Sequence, residues 1–392
     1  MESCELYVRE RYAIAITSMV RAGRRIYLGL TGGPNALAVY DIDRNEITVM
    51  DKLFPWVAGK GYCTKIHNAM SMLDDGSLLL GEGNHFTWDG LPVTVSYFNR
   101  ELPERMLARK RAQGFPEAKY TDYCLESLEH WDRTARDIGG RIVRYQPHDG
   151  TQKIISLLPQ YLYVQSMIVD GVRHRAFGHT LPDNHFFFLD VDSGILKDFG
   201  RISDYAHHNM TITPEGICYG GWQDKSDGSL KLLRFDPDRN RLEHLEKIIL
   251  PDIGSKIAGN QGIDQWIVTR EGRMYMGTCD GRLFHFHYLG EEFELIAKMG
   301  YGGRITSMDE DEEGYIWIGA GYPHMRLFRL DPGTGSVTDY GQVNNTYERC
   351  YFHASCCFEG RLYLGETDGF SPSLHIINLK SLWEGNNESA SA

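Results

Sequence analysis

Residues 304–319 read RITSMDEDEEGYIWIG, and the fold of the whole chain can be inferred by working outward from them. An apolar run is followed by an acidic turn and by a second run, GYIWIG, which starts and ends on glycine. Two more runs follow in RLFRLDPGTGSVTDY at residues 326–340, joined by DPGTG. Because Asp, Pro and Gly favour tight turns, this segment predicts four consecutive antiparallel strands.

The glycine-bounded run occurs seven times along the chain. Its copies end at Gly29, Gly81, Gly178, Gly220, Gly277, Gly319 and Gly365. Consecutive copies end 42 to 57 residues apart, except for one step of 97 residues. Seven repeats of four strands predict an all-β, seven-bladed β-propeller that occupies residues 1–392 as a single domain. A pair of unrelated β-sandwiches is the alternative, but sandwiches do not show this period.

Two departures from the repeat point to special features. The last copy lacks an outer strand, and CELYVRE at residues 4–10 is expected to supply it and close the ring. The long step holds an insertion at residues 91–140, in which Leu125, Leu128 and Trp131 recur at helical spacing. We therefore predict a helical insertion between the second and third strands of blade two, flanking the active-site face.

The composition of the chain limits the binding partners and the cellular compartment that are expected. A net charge of -12 makes nucleic acid and anionic membranes poor partners. Apolar runs fall well short of the ~20 residues of a membrane-spanning helix. MESCELYVRERY at the start lacks the apolar region of a signal peptide, so a cytoplasmic protein is expected, or a secreted one whose signal has been removed. The eight scattered cysteines, without a CxxC motif, are expected to be reduced thiols.

The topology of a propeller collects distant residues at one face. The innermost strand of each blade starts at the face where the second strand ends, so both positions surround one funnel. The candidate funnel residues are His67, His85, Tyr163, His179, His207, His208, Trp222, Gln223, Gln261, Cys279, Asp280, Arg304, Tyr322, His324, Tyr351, His353 and Glu366. Seven of the 15 histidines fall in this set, which is more than a random spread would place there.

These residue types suit an anionic sugar. Trp222 offers an apolar face for stacking, and Arg304 can pair with a carboxylate through two hydrogen bonds. His and Tyr can transfer protons. The set is poor in carboxylates, with Asp280, Glu366 and the nearby Glu82, whereas a glycosidase normally needs two across the bond it cleaves. The set therefore favours elimination over hydrolysis.

β-Elimination from a uronic acid would use such a set of residues. A cation or hydrogen-bond donor must neutralise the carboxylate, because the C5 proton is otherwise too weakly acidic to be removed. A base then takes that proton and an acid protonates the leaving oxygen on C4. Histidine is suited to either role, and the chemistry requires no cofactor.

Two hairpins carry a resemblance to a known family. KIHNAMSM…GEGNH at residues 65–85 and YVQSM…FGHT at residues 163–180 resemble seven-bladed propeller polysaccharide lyases of the ulvan lyase and rhamnose–glucuronate lyase type. The resemblance spans most of the chain at the level of blades. It implies a lyase that cleaves a rhamnosyl-(1→4)-glucuronate linkage by β-elimination and leaves an unsaturated uronate. The implied partner is an acidic polysaccharide or oligosaccharide that contains rhamnose and glucuronate.

The same resemblance implies catalytic residues. His67 and His85 match a histidine pair at the top of one hairpin of the family, and Tyr163 matches its tyrosine. The family has an arginine at the position of His179, so Arg175, Arg304 and His179 are the candidates to neutralise the carboxylate. The catalytic set is thus His67, His85, Tyr163 and His179. The expected substrate-binding residues are Arg175, His208, Trp222, Arg304, Tyr351 and His353.

A metal ion and two other functions remain open alternatives. Some members of the family bind a structural zinc or calcium, and His208, Cys279 and His353 are candidate zinc ligands, because imidazole and thiolate suit that ion. A non-catalytic interaction scaffold is possible for any propeller, although no WD dipeptide stands at the blade ends. A lactonase-like, metal-dependent hydrolase would need more carboxylate and Asn ligands around the axis.

Overall fold

The computed structural model describes most of the chain and leaves out several segments. The described residues are 3–9, 13, 15–31, 35–50, 65–83, 139–160, 162–181, 183–204, 209–224, 226–251, 262–300, 303–345, 350–367 and 372–382. No helix within these ranges is long and apolar enough to cross a membrane.

The described part of the chain is built almost entirely from short strands. The first half contains β1 (Cys4–Tyr7), β2 (Ala15–Ala22), β3 (Arg25–Thr31), β4 (Leu37–Asp41), β5 (Glu46–Met50), β6 (Met70–Met72), β7 (Leu78–Gly81), β8 (Arg141–Tyr145), β9 (Gln152–Leu157), β10 (Tyr163–Asp170), β11 (Arg175–Leu181), β12 (His185–Asp190), β13 (Leu196–Arg201) and β14 (Thr211–Ile212). The second half contains β15 (Cys218–Trp222), β16 (Leu230–Asp236), β17 (Arg241–Leu250), β18 (Ile263–Val268), β19 (Met274–Thr278), β20 (Arg282–His287), β21 (Glu292–Lys298), β22 (Ile305–Glu310), β23 (Ile316–Ala320), β24 (Arg326–Leu330), β25 (Val337–Gln342), β26 (Phe352–Phe358), β27 (Arg361–Glu366) and β28 (Ser373–Asn378).

Within the described ranges these strands form seven antiparallel sheets of four strands each. Blades one to six are β2–β5, β6–β9, β10–β13, β14–β17, β18–β21 and β22–β25. The innermost strands of neighbouring blades contact one another from β2 round to β26, and β26 contacts β2. The all-β, seven-bladed propeller expected from the repeat is confirmed.

The ring closes with a strand from each end of the chain. Blade seven has the order β1-β28-β27-β26, and β1 pairs antiparallel with β28 so that Cys4 lies opposite Ile376 and Tyr7 opposite Ser373. The prediction that the N-terminal segment supplies the missing outer strand is confirmed. Because the two ends of the chain share one sheet, the backbone hydrogen bonds between β1 and β28 hold these ends together in blade seven.

The glycine that ends each repeat allows neighbouring blades to approach closely. A Cβ atom at Gly29 would lie 2.9 Å from Ile66 of the next blade, and one at Gly365 would lie 2.6 Å from Ile16. Both separations are well below a van der Waals contact. The repeated glycine therefore has a packing cause, since the innermost strand of the next blade fills the space that a side chain would need.

The apolar alternation of the repeat forms the layers between blades. In β3 the side chains of Ile26, Leu28 and Leu30 are fully buried and pack with Tyr363 and Leu374 of blade seven. Burial of such side chains is worth roughly 1.5–3 kcal/mol each, so the core consists of these layers between the sheets.

The long connection in blade two lies where it was expected. β7 ends at Gly81 and β8 starts at Arg141, so the connection joins the second and third strands of that blade. Residues 84–138, which hold most of the predicted helical insertion, lie outside the described residues. The helices and their position beside the active-site face stay predictions.

A β-bulge interrupts the innermost strand of five blades near its first residues. The bulged residues are Thr17, Gln165, Asp264, Thr306 and His353. All five are polar and buried. Because a bulge turns a side chain away from the normal alternation of the strand, these bulges place polar groups at one end of the propeller axis.

Candidate functional site

Polar side chains from five blades lie close together at the end of the axis where the innermost strands begin. We call this set the axial cluster, and its members are Lys65, His67, Gln165, Asp264, Arg304, Tyr351 and His353. Each of them lies in the first residues of an innermost strand or in the segment just before it. The cluster is therefore built from the positions where propeller topology concentrates chemistry.

Two histidines from blades that are not neighbours meet at the centre of this cluster. The rings of His67 and His353 lie edge to face with their centroids 5.8 Å apart. They come from blades two and seven, which both flank blade one. His67 Nδ1 is 3.0 Å from the backbone oxygen of Gln165, which fixes the orientation of its ring. Both histidines are less than a tenth exposed.

A buried lysine lies beside this pair. Lys65 is only 1% exposed, and its Nζ donates to Gln165 Oε1 at 2.8 Å. Its backbone pairs with Thr31 at the end of β3 and with Gly83 just after β7, and these two bridges hold the segment before β6 in place. Lys65 thus brings an amino group, held by its hydrogen bond to Gln165, to the axis of the propeller.

An arginine lies on the other side of the histidine pair. Arg304 Nε and Nη2 bind the buried carboxylate of Asp264 in a fork, at 2.8 and 2.7 Å. The guanidinium carbon also lies 5.8 Å from the ring centroid of Tyr351, and the Tyr351 ring is 5.2 Å from that of His353. Tyr322 packs edge to face on Tyr351 and is 44% exposed, so it forms the outer rim. An acid, a cation, a phenol and an imidazole thus follow one another in contact.

The carboxylates near this face are paired with other protein groups. Glu82 binds Arg141 through two hydrogen bonds of 2.8 Å, and this buried pair joins the two ends of the long connection in blade two. Glu366 Oε2 lies 3.3 Å from Nε2 of His375, and both residues are fully buried. Asp280 accepts a hydrogen bond from Thr278. These acids serve the structure, which weakens the case for hydrolysis by two carboxylates.

Three predicted site residues lie away from the axial cluster. Arg175 starts β11 at the end opposite to His179, roughly 13 Å along the strand, and pairs with the exposed Asp238. His179 is buried between blades three and four, where it lines a small cavity with Met210 and Leu233. The expected substrate-binding role of Arg175 is wrong, because β11 starts at the opposite face. The expectation that His179 faces the funnel is wrong as well, because its side chain lies between two blades.

Trp222 also points away from the axis. Its Nε1 donates to the backbone oxygen of Leu245, and its ring packs edge to face on His244. Both partners belong to β17, the outermost strand of blade four. The predicted stacking of Trp222 on a sugar at the axis is therefore wrong, because the indole lies across its own sheet.

The other predicted residues divide into two groups. His67, Arg304, Tyr351 and His353 come together in the axial cluster, while Tyr163 starts β10 two residues before Gln165 and is buried. His85 and His208 lie outside the described residues, as do His207 and Gln261. The catalytic roles of His85 and Tyr163 stay predictions.

His208, one of the three suggested zinc ligands, lies outside the described residues. Burial raises the pKa of the Cys279 thiol to about 12, so this sulfur is a neutral thiol at physiological pH. Six cysteines of the described part, including Cys279, form no disulfide. A zinc ion at His208, Cys279 and His353 stays a prediction.

Three members of the axial cluster had not been predicted from the sequence. Lys65 and Gln165 stand within the two hairpins that carry the resemblance, yet the resemblance assigns them no role, and Asp264, three residues after Gln261, stands in no motif. Gln165 is the third residue of β10, and Asp264 is the second residue of β18. The other bulged residues also take the second or third position of an innermost strand, so a polar residue at this position is a signal that identifies both.

Comparisons with known proteins identify the fold and no family. No family model matches the sequence. Alpha-scruin from Limulus polyphemus is 26% identical over 147 residues, which are 34% of this chain and 16% of alpha-scruin. The chain thus spans less than a fifth of the curated relative that it matches.

Solved structures of several different functions share the architecture. Virginiamycin B lyase from Staphylococcus aureus superposes with a TM-score of 0.58 at 10% identity, covering 96% of this chain and 99% of that one. YCF48 bound to D1 peptide gives 0.55 at 11% identity, covering 96% and 95%. The β-propeller domain of Cps50 (Swd1) from Myceliophteria thermophila gives 0.54 at 11% identity, covering 96% and 100%. At these identities the likeness shows the propeller fold alone, and the structures that share it include a lyase and a protein bound to a peptide.

Proposed function

We propose that the axial cluster is the active site of a carbon–oxygen lyase that cleaves an acidic saccharide at glucuronate by β-elimination. The observation that carries this proposal is the contact between His67 and His353, in a cluster that also contains Lys65 and Arg304. β-Elimination needs two proton-transfer groups close together and positive charge near a carboxylate, and this arrangement contains both.

The reaction assigns a part to each group. Lys65 and Arg304 are the cations that attract the uronate carboxylate and stabilise charge as C5 loses its proton. One group of His67, Tyr351 and His353 takes that proton, the electron pair forms a C4–C5 double bond, and the C4–O bond breaks. A second group of the set protonates the leaving oxygen. No group is oxidised or reduced, and the two products together contain the atoms of the substrate.

The finer specificity rests on the sequence. The hairpins that hold His67 and Tyr163 resemble those of propeller lyases that act on rhamnosyl-(1→4)-glucuronate bonds. A rhamnose- and glucuronate-containing polysaccharide is accordingly the first substrate to test. The scarcity of unpaired carboxylates at this face also favours elimination over hydrolysis.

The test is an assay of the unsaturated product followed by two substitutions. The protein is incubated with rhamnose–glucuronate polysaccharides, and the ultraviolet absorbance of the C4–C5 double bond is recorded over time. We expect His67→Gln and His353→Gln each to lower kcat/KM by about 100-fold or more, because each removes a proton-transfer group from the pair.

His148→Gln is the matched control. His148 is exposed beside Asp149 in a turn of blade two, so its loss is expected to leave turnover unchanged. Far-ultraviolet circular dichroism and thermal melts of all three variants separate a lost role from lost folding. Full activity of both His67→Gln and His353→Gln would contradict the site, and the absence of product from every uronate polysaccharide would contradict the lyase.

A further inference from the structure

A second group of chemically active side chains lies on the outer part of blade five. β20 and β21 pair so that His285 lies opposite Glu294 and His287 opposite Glu292. The strand alternates, so His285 and His287 share one face, while Phe284 and Phe286 are buried on the other. The sequence FHFHYLGEEFE therefore places two imidazoles and a carboxylate side by side.

The three side chains converge on one point. Glu294 Oε2 is 3.0 Å from His287 Nε2 and 3.7 Å from His285 Nδ1, and the two histidine rings are 4.1 Å apart. All three ligand atoms lie within 4.8 Å of one another. Ligand atoms of a tetrahedral zinc site are about 3.3 Å apart, given bonds of about 2.0–2.1 Å, so only small side-chain rotations would bring these atoms to that geometry.

The surrounding structure orients the group. The ring of His285 stacks on Tyr275 of β19, with centroids 4.9 Å apart and an interplanar angle of 22°. Behind the strand, Phe286 packs on Phe293 of the partner strand. The stacked ring and the paired strands hold His285 in place, while His287 and Glu294 stay largely exposed, so a metal ion has access from solvent.

We infer that His285, His287 and Glu294 form a binding site for a divalent transition-metal ion of the zinc class. Two imidazoles and one carboxylate are a ligand set that zinc accepts, and they leave a fourth position for water. Because the ligands come from both strands of the hairpin, the bound ion would hold β20 and β21 together.

The site is separate from the axial cluster. β20 starts at Arg282, near the face that holds the axial cluster, and ends at His287 on the opposite face. Metal binding at this hairpin therefore does not depend on the proposed lyase activity, and it can be measured without a substrate.

The experiment titrates zinc into the full-length, tag-free protein after treatment with a chelator. Isothermal titration calorimetry gives the affinity and the number of ions bound, and a thermal melt with and without zinc reports stabilisation. We expect a zinc-binding event that is weakened at least about tenfold by His287→Gln and by Glu294→Gln, with loss of the zinc-dependent rise in Tm.

Glu292→Gln is the matched control, because Glu292 lies on the same strand and the same face but outside the three-atom group. Unchanged zinc affinity in this variant, together with the loss in the other two, supports the site. Zinc affinity that is equal in all three variants and the wild type would overturn it, since the ion would then bind at another histidine. The absence of zinc binding to the wild type would overturn it too.

Discussion

Single polar residues at the start of the innermost strands have the largest influence on what this protein can do. Thr306 Oγ1 donates to the backbone oxygen of Phe352 at 2.5 Å, and Thr17 Oγ1 donates to that of Ile66 at 2.9 Å, so two bulged residues tie neighbouring blades together. Other bulged residues, Gln165, Asp264 and His353, belong to the axial cluster. The same local distortion thus serves both the closure of the ring and the candidate site.

Asp309 of β22 makes stability depend on pH. Its Oδ2 accepts a hydrogen bond from the Cys357 backbone N–H of the next blade, and burial raises the pKa of its carboxyl to about 7. A carboxyl with a raised pKa binds its proton more tightly in the folded chain than in the unfolded chain. Its contribution to stability is therefore present below about pH 4 and is lost as the pH rises through about 7.

We expect Asp309→Asn to raise the free energy of unfolding by about 2 kcal/mol at pH 8, because the amide cannot ionise. The gain over the wild type should be smaller at pH 5 and should approach zero only below about pH 4. Urea denaturation at the two pH values measures it, with the exposed Asp238→Asn as the control. An equal difference between Asp309→Asn and the wild type at both pH values would contradict this account.

At the level of strands, the spacing between blades is set by glycine at the end of the second strand. A Cβ at Gly277 would overlap the side chain of Ile305, the first residue of β22 in the next blade. Ile305 is fully buried and β-branched, so it has little freedom to move aside. The glycine of the repeat is thus a requirement of packing between blades.

We expect Gly277→Ala to lower the free energy of unfolding by about 2 kcal/mol, since overpacking forces the two blades apart. Gly300→Ala is the control, because no atom lies within 4 Å of the position that its Cβ would take. Urea denaturation of both variants measures the effect. A Gly277→Ala protein as stable as Gly300→Ala would show that the blades can separate at little cost.

For the molecule as a whole, stability depends on the strand that closes the ring. Leu6 of β1 lies opposite Leu374 of β28, and the Val8 N–H, two residues on, donates to the Pro372 oxygen at 3.0 Å. Backbone N–H groups alternate in direction along a strand, so the Leu6 N–H, two residues before Val8, also points towards β28. The fully buried Glu366 and His375 lie in this same blade, so loosening β1 would expose polar groups that now satisfy each other.

We expect Leu6→Pro to lower Tm well below that of Leu6→Ala, because proline removes a backbone donor while alanine removes only side-chain packing. The difference in the free energy of unfolding should be about 3 kcal/mol. Differential scanning calorimetry of the two variants measures it. Equal Tm values would mean that the backbone pairing of β1 adds nothing to the closure of the ring.

Much of the architecture follows from local patterns in the sequence. The seven glycine-bounded runs, the turn residues such as DPGTG and the apolar alternation predicted the blades, and the short last copy predicted that CELYVRE would close the ring. Such features are readable because each blade is formed by residues close together in the chain. His67, Arg304, Tyr351 and His353 were predicted at the axis for the same reason, since they lie at the starts of innermost strands.

Side-chain direction and partners across blades were settled by packing in three dimensions. Arg175 and His179 lie on one strand, yet Arg175 pairs with Asp238 at the face opposite to the axial cluster, and His179 is buried between blades three and four. A one-residue bulge reverses which way a side chain points, and it forms only when the strand pairs with its neighbour. The contact of His67 with His353 joins residues 286 positions apart, so it exists only once β1 has closed the ring and brought blade seven against blade one.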